Sequence, residues 1–286
     1  MTIQESHSPE CKSSDILVFK NKYQELLFCK NCSLLYKKNI KELKKEVLLM
    51  GKFNKDLKQT IETDHFKKQI SENRSIIKKI LSIIKKNPTK ILDYGCGYGA
   101  FMFAAKELGF TVNGYDINKN FTENLSNYFE TFKSETDLLN NQNSKKYDLI
   151  FCRKVLNLSS NIYKDFSNFN DLLSSNGHLV IMDQVKNLSK HKSMISKNDT
   201  NCTLLVTVET LKFYANIFQL NVKYIKNDFG DLFIIFEKSN KNYKVNKISI
   251  ETLKNLEKFS FIFLFLSKIK NIIQKIYYLF KSYRNN

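Results

Sequence analysis

Residues 90–100 read Lys-Ile-Leu-Asp-Tyr-Gly-Cys-Gly-Tyr-Gly-Ala, and this stretch constrains the fold more than any other. An apolar run enters it from Ile91. Glycines follow at 95, 97 and 99. An apolar helical pattern leaves it through Phe101, Met102, Phe103, Ala104, Ala105 and Leu108. That order predicts a strand, a tight turn and a helix. Glycine is needed where the backbone takes positive φ or comes close to a ligand. The free N–H groups at the start of the next helix then face that ligand. A second strand, Thr111–Tyr115, ends in Asp116. A carboxylate there is placed to accept hydrogen bonds from two ribose hydroxyls.

Asp93, Gly95, Gly97 and Gly99 form an Asp-x-Gly-x-Gly-x-Gly pattern that follows a strand, and Asp116 closes the next one. This resembles the first motif of the class I S-adenosylmethionine-dependent methyltransferases. A ligand-free strand-to-helix turn is the plain alternative. A nicotinamide-binding unit would want Gly-x-Gly-x-x-Gly, whose third glycine falls at Ala100. The resemblance implies an α/β, Rossmann-like fold with a seven-stranded, mostly parallel sheet and helices on both faces. It implies S-adenosyl-L-methionine as cofactor, with Asp93 and the turn, including Cys96, at its methionine end. Asp116 and Ile117 would follow at the ribose.

The chain has 286 residues, enough for one sizeable α/β domain with appendages. Two prolines and eight glycines leave little room for linkers. The net charge of +18 suits nucleic acid, an anionic membrane or acidic substrates such as nucleotide sugars, and does not choose among them. The polar start, residues 1–10, lacks the apolar centre of a secretory signal, so cytoplasmic thiols are expected rather than disulfides. No apolar run of about 18 residues predicts a spanning helix.

Four regions follow: 1–36, 37–87, 88–240 and 241–286. The first, with Pro9, Cys11, Cys29 and Cys32, resembles the small zinc ribbon that precedes many sugar-modifying methyltransferase domains. Cys11, Cys29 and Cys32 match three of its ligands. Ser8 replaces the other cysteine, and Ser33 replaces a glycine. His7 is the candidate fourth ligand for tetrahedral zinc. A ribbon that folds without metal is the alternative. Residues 37–87 are lysine-rich, with Ile70, Ile76, Ile77, Ile80, Leu81 and Ile84 at helical spacing. Asn87-Pro88 should end that helix. His65 and Arg74 read as a solvated helix face.

A helix over 121–128 and a weak third strand over 129–133 come next. By resemblance an acid just after that strand accepts from the adenine amino group; Glu135 fits, with Asp137 close behind. Tyr147–Cys152 reads as a fourth strand, with Asp148 structural at its start and Arg153 at the mouth of the site. Related enzymes often carry Glu-His after Val-Leu, where this chain has Asn157 and Leu158. A helix through 169–173, a turn at 174–177 and a fifth strand, His178–Asp183, follow. His178 sits at the starting end of that strand and reads as structural. Asp183 sits at the carboxyl end, where open α/β sheets place their chemistry. Residues 184–203 form a polar loop, and its His191 joins Asp183 as a candidate base. A helix over 210–220 and strands over 222–225 and 232–236 complete the sheet.

In residues 241–286, ten Lys or Arg face two acids, and Ile262, Leu266, Ile269, Ile273, Ile276 and Phe280 form one stripe. That suits an interfacial helix at an anionic membrane, or a helix packed against protein. The function expected is methyl transfer to a small acceptor, by resemblance a sugar, nucleotide sugar or cell-surface glycan precursor; the alternatives are a non-catalytic cofactor-binding protein and a methyltransferase acting on another small molecule or lipid. No Asn/Asp-Pro-Pro-Tyr/Phe follows the fourth strand, which argues against a DNA amino-methylating enzyme.

Overall fold

A computed structural model describes residues 16–20, 25–37, 57–140, 146–184 and 204–238. In chain order the elements are β1 (Ile16–Lys20), β2 (Glu25–Cys29), β3 (Leu35–Lys37), α1 (Leu57–Glu62), α2 (Asp64–Ile84), β4 (Lys90–Tyr94), α3 (Ala100–Glu107), β5 (Thr111–Tyr115), α4 (Lys119–Leu125) and β6 (Thr131–Phe132). Then come α5 (Glu135–Asn140), β7 (Tyr147–Arg153), α6 (Ile162–Leu172), β8 (Leu173–Asp183), β9 (Leu204–Leu205), α7 (Val208–Ile217), β10 (Leu220–Asp228) and β11 (Asp231–Lys238).

Strands alternating with helical runs give a parallel sheet with crossover helices. The large sheet has seven strands in the order β10-β11-β8-β7-β4-β5-β6. The five from β8 to β6 run parallel, and β11 pairs antiparallel with β8 and β10. This is the expected Rossmann-like architecture. Residues of the central strands alternate between two apolar layers. Ile91, Leu149, Phe151, Val180 and Met182 pack on one face against α2 and α3. Leu92, Ile150, Leu179 and Ile181 pack on the other, against α6 and α7. Asp148, as expected, is structural: it accepts from Thr89 N at 2.8 Å, Thr89 Oγ1 at 2.5 Å and Ser174 Oγ at 3.2 Å.

Several boundaries differ from the expectation. α2 stops at Ile84, ahead of Asn87-Pro88, because Lys85 turns left-handed at φ 53° and its N–H caps Leu81 O. α4 ends at Leu125, and β6 shrinks to two residues. β8 begins at Leu173, where a turn was expected through Gly177. The extra residues are absorbed as a bulge: Tyr147 pairs Leu173, and two residues on Leu149 pairs His178. His178 lies there, buried, with Nε2 4.0 Å from Glu237 Oε2.

The small sheet runs β1-β2-β3-β9, so the N-terminal ribbon docks on a strand of the main domain. Between β2 and β3 the chain turns tightly, with Cys29 N donating to Leu34 O and Ser33 N to Cys29 O, each at 2.9 Å. Ser33 takes φ 60° where the ribbon motif has glycine. Its carbonyl accepts from Thr210 Oγ1 at 2.8 Å, fastening the turn to α7. Cys29 and Cys32 are buried. Their proposed zinc partners, Cys11 and His7, lie outside the described residues, as does the tail, 241–286. Among the described residues no group of three His, Cys, Asp or Glu could hold a metal. The zinc reading predicts about one zinc per chain by elemental analysis, abolished in Cys29→Ser. A fully folded, metal-free protein would contradict it.

Among the described residues, no helix is long and apolar enough to cross a membrane.

Candidate functional site

The turn after β4 is built by its glycines. Gly95, Gly97 and Gly99 have φ 86°, 51° and 81°, a region that other residues enter at a cost. Gly95 N and Cys96 N both donate to Tyr115 O, at 2.7 and 3.0 Å, and so tie the turn to β5. A Cβ on Gly95 would stand 2.2 Å from Val155 Cγ2. Gly99 caps α3, whose first N–H groups point back into the turn. Asp116, at the end of β5, accepts from Gly97 N at 2.9 Å and from Asn118 N at 2.8 Å. One carboxylate thus holds the turn and the start of α4 together.

Beside this turn lies a cavity of about 520 Å³. Asp93, Gly95, Cys96 and Tyr98 form one wall, and His65, Lys68, Gln69, Glu72 and Asn73 of α2 form another. Phe101 and Phe151, stacked at 3.9 Å, stand together on the lining, and Arg153 and Lys154 close the end of β7. Arg153 bridges to α2 through Glu72 at 2.6 Å, and its Nε lies 3.8 Å from Asp231 Oδ2. His65 Nε2 stands 3.2 Å from Gln69 Nε2.

Burial, and then the nearby Asp116 carboxylate, push Asp93 up to about 8, against the pull of Arg153. Asp93 is therefore protonated in the folded chain at neutral pH, whereas the unfolded chain has already ionised it. The folded state binds the extra proton between the ordinary carboxylate value and about pH 8. Over that window wild-type stability falls as pH rises, by up to roughly 1.4 kcal/mol per pH unit. Asp93→Asn removes this loss. Its thermal stability relative to wild type should be higher at pH 8 than at pH 5; an equal difference at both would contradict the assignment.

The structure brings Asp93, Gly95, Cys96 and Arg153 into one cavity, with Gly97, Gly99 and Asp116 adjoining. Ile117 follows, 61% exposed. Glu135 starts α5 and pairs with Lys164. Asp183 is not among these. It follows Ile181 in the strand alternation, on the face away from the cavity, and Oδ1 accepts from Asn157 Nδ2 at 2.6 Å. Burial pushes its carboxyl up to about 6. Asn157 also donates to Gln184 O and accepts from Val206 N, both at 3.0 Å. Asn157, at the first of the two positions where related enzymes often carry Glu-His, is thus a buried clasp between β8 and β9, and Leu158 at the second is 37% exposed. His191 lies outside the described residues.

By resemblance helices in residues 37–87 are expected to cover the cofactor, but sequence reasoning puts His65 on a solvated face and does not single out Lys68, Gln69 and Glu72 as lining. His65, Lys68, Gln69 and Glu72 recur at three- and four-residue spacing beside the apolar stripe, which is a signal, but solvated faces share it. Arg74, by contrast, pairs with Glu107 at 2.8 Å outside the cavity.

A family model described as a methyltransferase domain matches residues 65–220, more than half of the chain, and the chain belongs to that family. It is a class I S-adenosylmethionine-dependent methyltransferase, with S-adenosyl-L-methionine as cofactor. Among solved structures it is similar to the plantazolicin methyltransferase BpumL in complex with a triazolic desmethylPZN analog and SAH. The two share 16% identity over 71% of this chain and 99% of that one, at TM-score 0.49. A SAM dependent methyltransferase from Archaeoglobus fulgidus shares 21% over 58% and 94%, at 0.46. The PH0226 protein from Pyrococcus horikoshii OT3 shares 15% over 63% and 93%, at 0.49. No curated protein matches the chain.

The described residues fit the cofactor. The glycine turn leaves open space at Gly97, where a Cβ would meet nothing within 4 Å, and the cavity beside it carries a buried acid.

Proposed function

We propose that the enzyme methylates a small sugar-type acceptor, a sugar or a nucleotide sugar. The observation that carries this reading is the N-terminal ribbon, three antiparallel strands with a tight Cys29–Ser33 turn, docked through β9 on the methyltransferase domain. Ribbons of this kind resemble those that precede sugar-modifying methyltransferase domains.

In this reading Asp93, Gly95, Cys96, Gly97, Gly99 and Arg153 hold the methionine end of the cofactor. Asp116 and Ile117 hold the ribose and the adenine face, and Glu135 the adenine amino group. When bound, S-adenosylmethionine supplies a methyl group on a sulfonium that is already a good leaving group. The chain's residues therefore have three tasks: to align the acceptor, to exclude water and to take up a proton. Phe101 and Phe151 give the cavity its apolar surface. An acceptor hydroxyl also needs a base. His65 brings an imidazole, the side chain most used for proton uptake, to the cavity lining, and it joins His191 as a candidate.

The test is transfer of labelled methyl groups to a fractionated cell extract and to a panel of nucleotide sugars. Label is expected in the small-molecule sugar fraction. Label confined to protein or nucleic acid would overturn the reading.

A further inference from the structure

The cavity has an unusual charge. Two acids line it, and Asp93 is protonated at neutral pH by its burial, which leaves Glu72. Glu72 is already paired with Arg153. Lys68 and Lys154 remain at the mouth. Lys68 has no carboxylate within ion-pairing distance among the described residues, and Lys154 Nζ reaches Asp231 Oδ2 only at 3.8 Å, sharing it with Arg153. A cofactor carrying a sulfonium adds a further positive charge to this pocket.

Lys154 also carries backbone strain. Its φ is 58°, held by Lys154 N donating to Met182 O at 2.9 Å. Glycine would occupy this position at no cost, so a lysine there costs stability. Strain retained in a residue that lines a cavity points to a use for its side chain.

We propose that Lys68 and Lys154 form a subsite for a phosphate-bearing acceptor at the mouth of the cofactor cavity. The anion balances the cationic wall and the incoming sulfonium, and the two ammonium groups, one on α2 and one just after β7, both on the cavity lining, hold it. This deepens the reading of a small sugar-type acceptor and rests on it: the ligand chemistry is a sugar carrying a mono- or diphosphate. A soluble nucleotide and a lipid-linked phosphate share that chemistry.

The experiment is calorimetric titration of uridine diphosphate into the full chain saturated with S-adenosylhomocysteine. Binding is expected, weakened about tenfold in Lys68→Ala and again in Lys154→Gly, as loss of a charge-assisted hydrogen bond implies. Lys154→Gly relieves the positive φ, so its thermal midpoint should rise while its anion affinity falls. Lys226→Ala, on the outer strand β10, should leave the affinity unchanged. Parallel sedimentation with phosphatidate vesicles separates the sources: binding that depends on Lys154 in this arm alone supports a lipid-linked acceptor. The proposal is overturned if S-adenosylhomocysteine binds but neither arm depends on Lys68 or Lys154. It is likewise overturned if Lys226→Ala weakens binding equally, since the anion then sees only a basic surface. Failure to bind S-adenosylhomocysteine would instead overturn the cofactor-site reading.

Discussion

Gly95→Ala should unfold or severely destabilise the domain, by about 2–5 kcal/mol. Two costs combine. An alanine at φ 86° occupies a disfavoured backbone region, and its Cβ would stand 2.2 Å from Val155 Cγ2. Gly97→Ala separates them, because at φ 51° it meets nothing within 4 Å and carries the backbone cost of about 1–2 kcal/mol alone. Adding Val155→Ala to Gly95→Ala should recover part of the loss, a coupling that chemical unfolding of the four species in a double-mutant cycle would read. Equal destabilisation by the two glycine variants would contradict the packing described.

Asp116→Ala should weaken cofactor binding by roughly 2–4 kcal/mol, as expected for two lost charge-assisted hydrogen bonds to a ribose. Its carboxylate also accepts from Gly97 N and Asn118 N, so the variant loosens the turn that shapes the cavity. Burial pushes its carboxyl up, and those two backbone donors oppose the shift. Asp116→Asn keeps the shape but returns a weaker acceptor, and should fall between wild type and alanine.

The turn could be read from residues because glycine leaves a direct mark of backbone need: an acid, three glycines and a second acid have few other uses together. The succession of strands along the chain was legible in their apolar runs, and the seven-stranded sheet followed from the family resemblance. The cavity's second wall was harder. His65, Lys68, Gln69 and Glu72 stand on α2 as polar residues beside an apolar stripe, and only the tertiary placement of that helix tells a cavity wall from a solvated face. Asp183 misled for a different reason. It does lie at the carboxyl end of β8, but strand alternation sends it to the face opposite Met182 and the cavity, where Asn157 holds its Oδ1. Period-two counting from the apolar residues of β8 carried that information. The left-handed Lys85 and Lys154 had no sequence signal, since neither is glycine or asparagine.

The most direct test of the account is calorimetric titration of S-adenosylhomocysteine into the full chain and into Asp116→Ala. The account predicts one site per chain in the wild type, and an affinity loss of about thirtyfold or more in the variant. Equal affinity in both proteins, or no binding by the wild type, would contradict it.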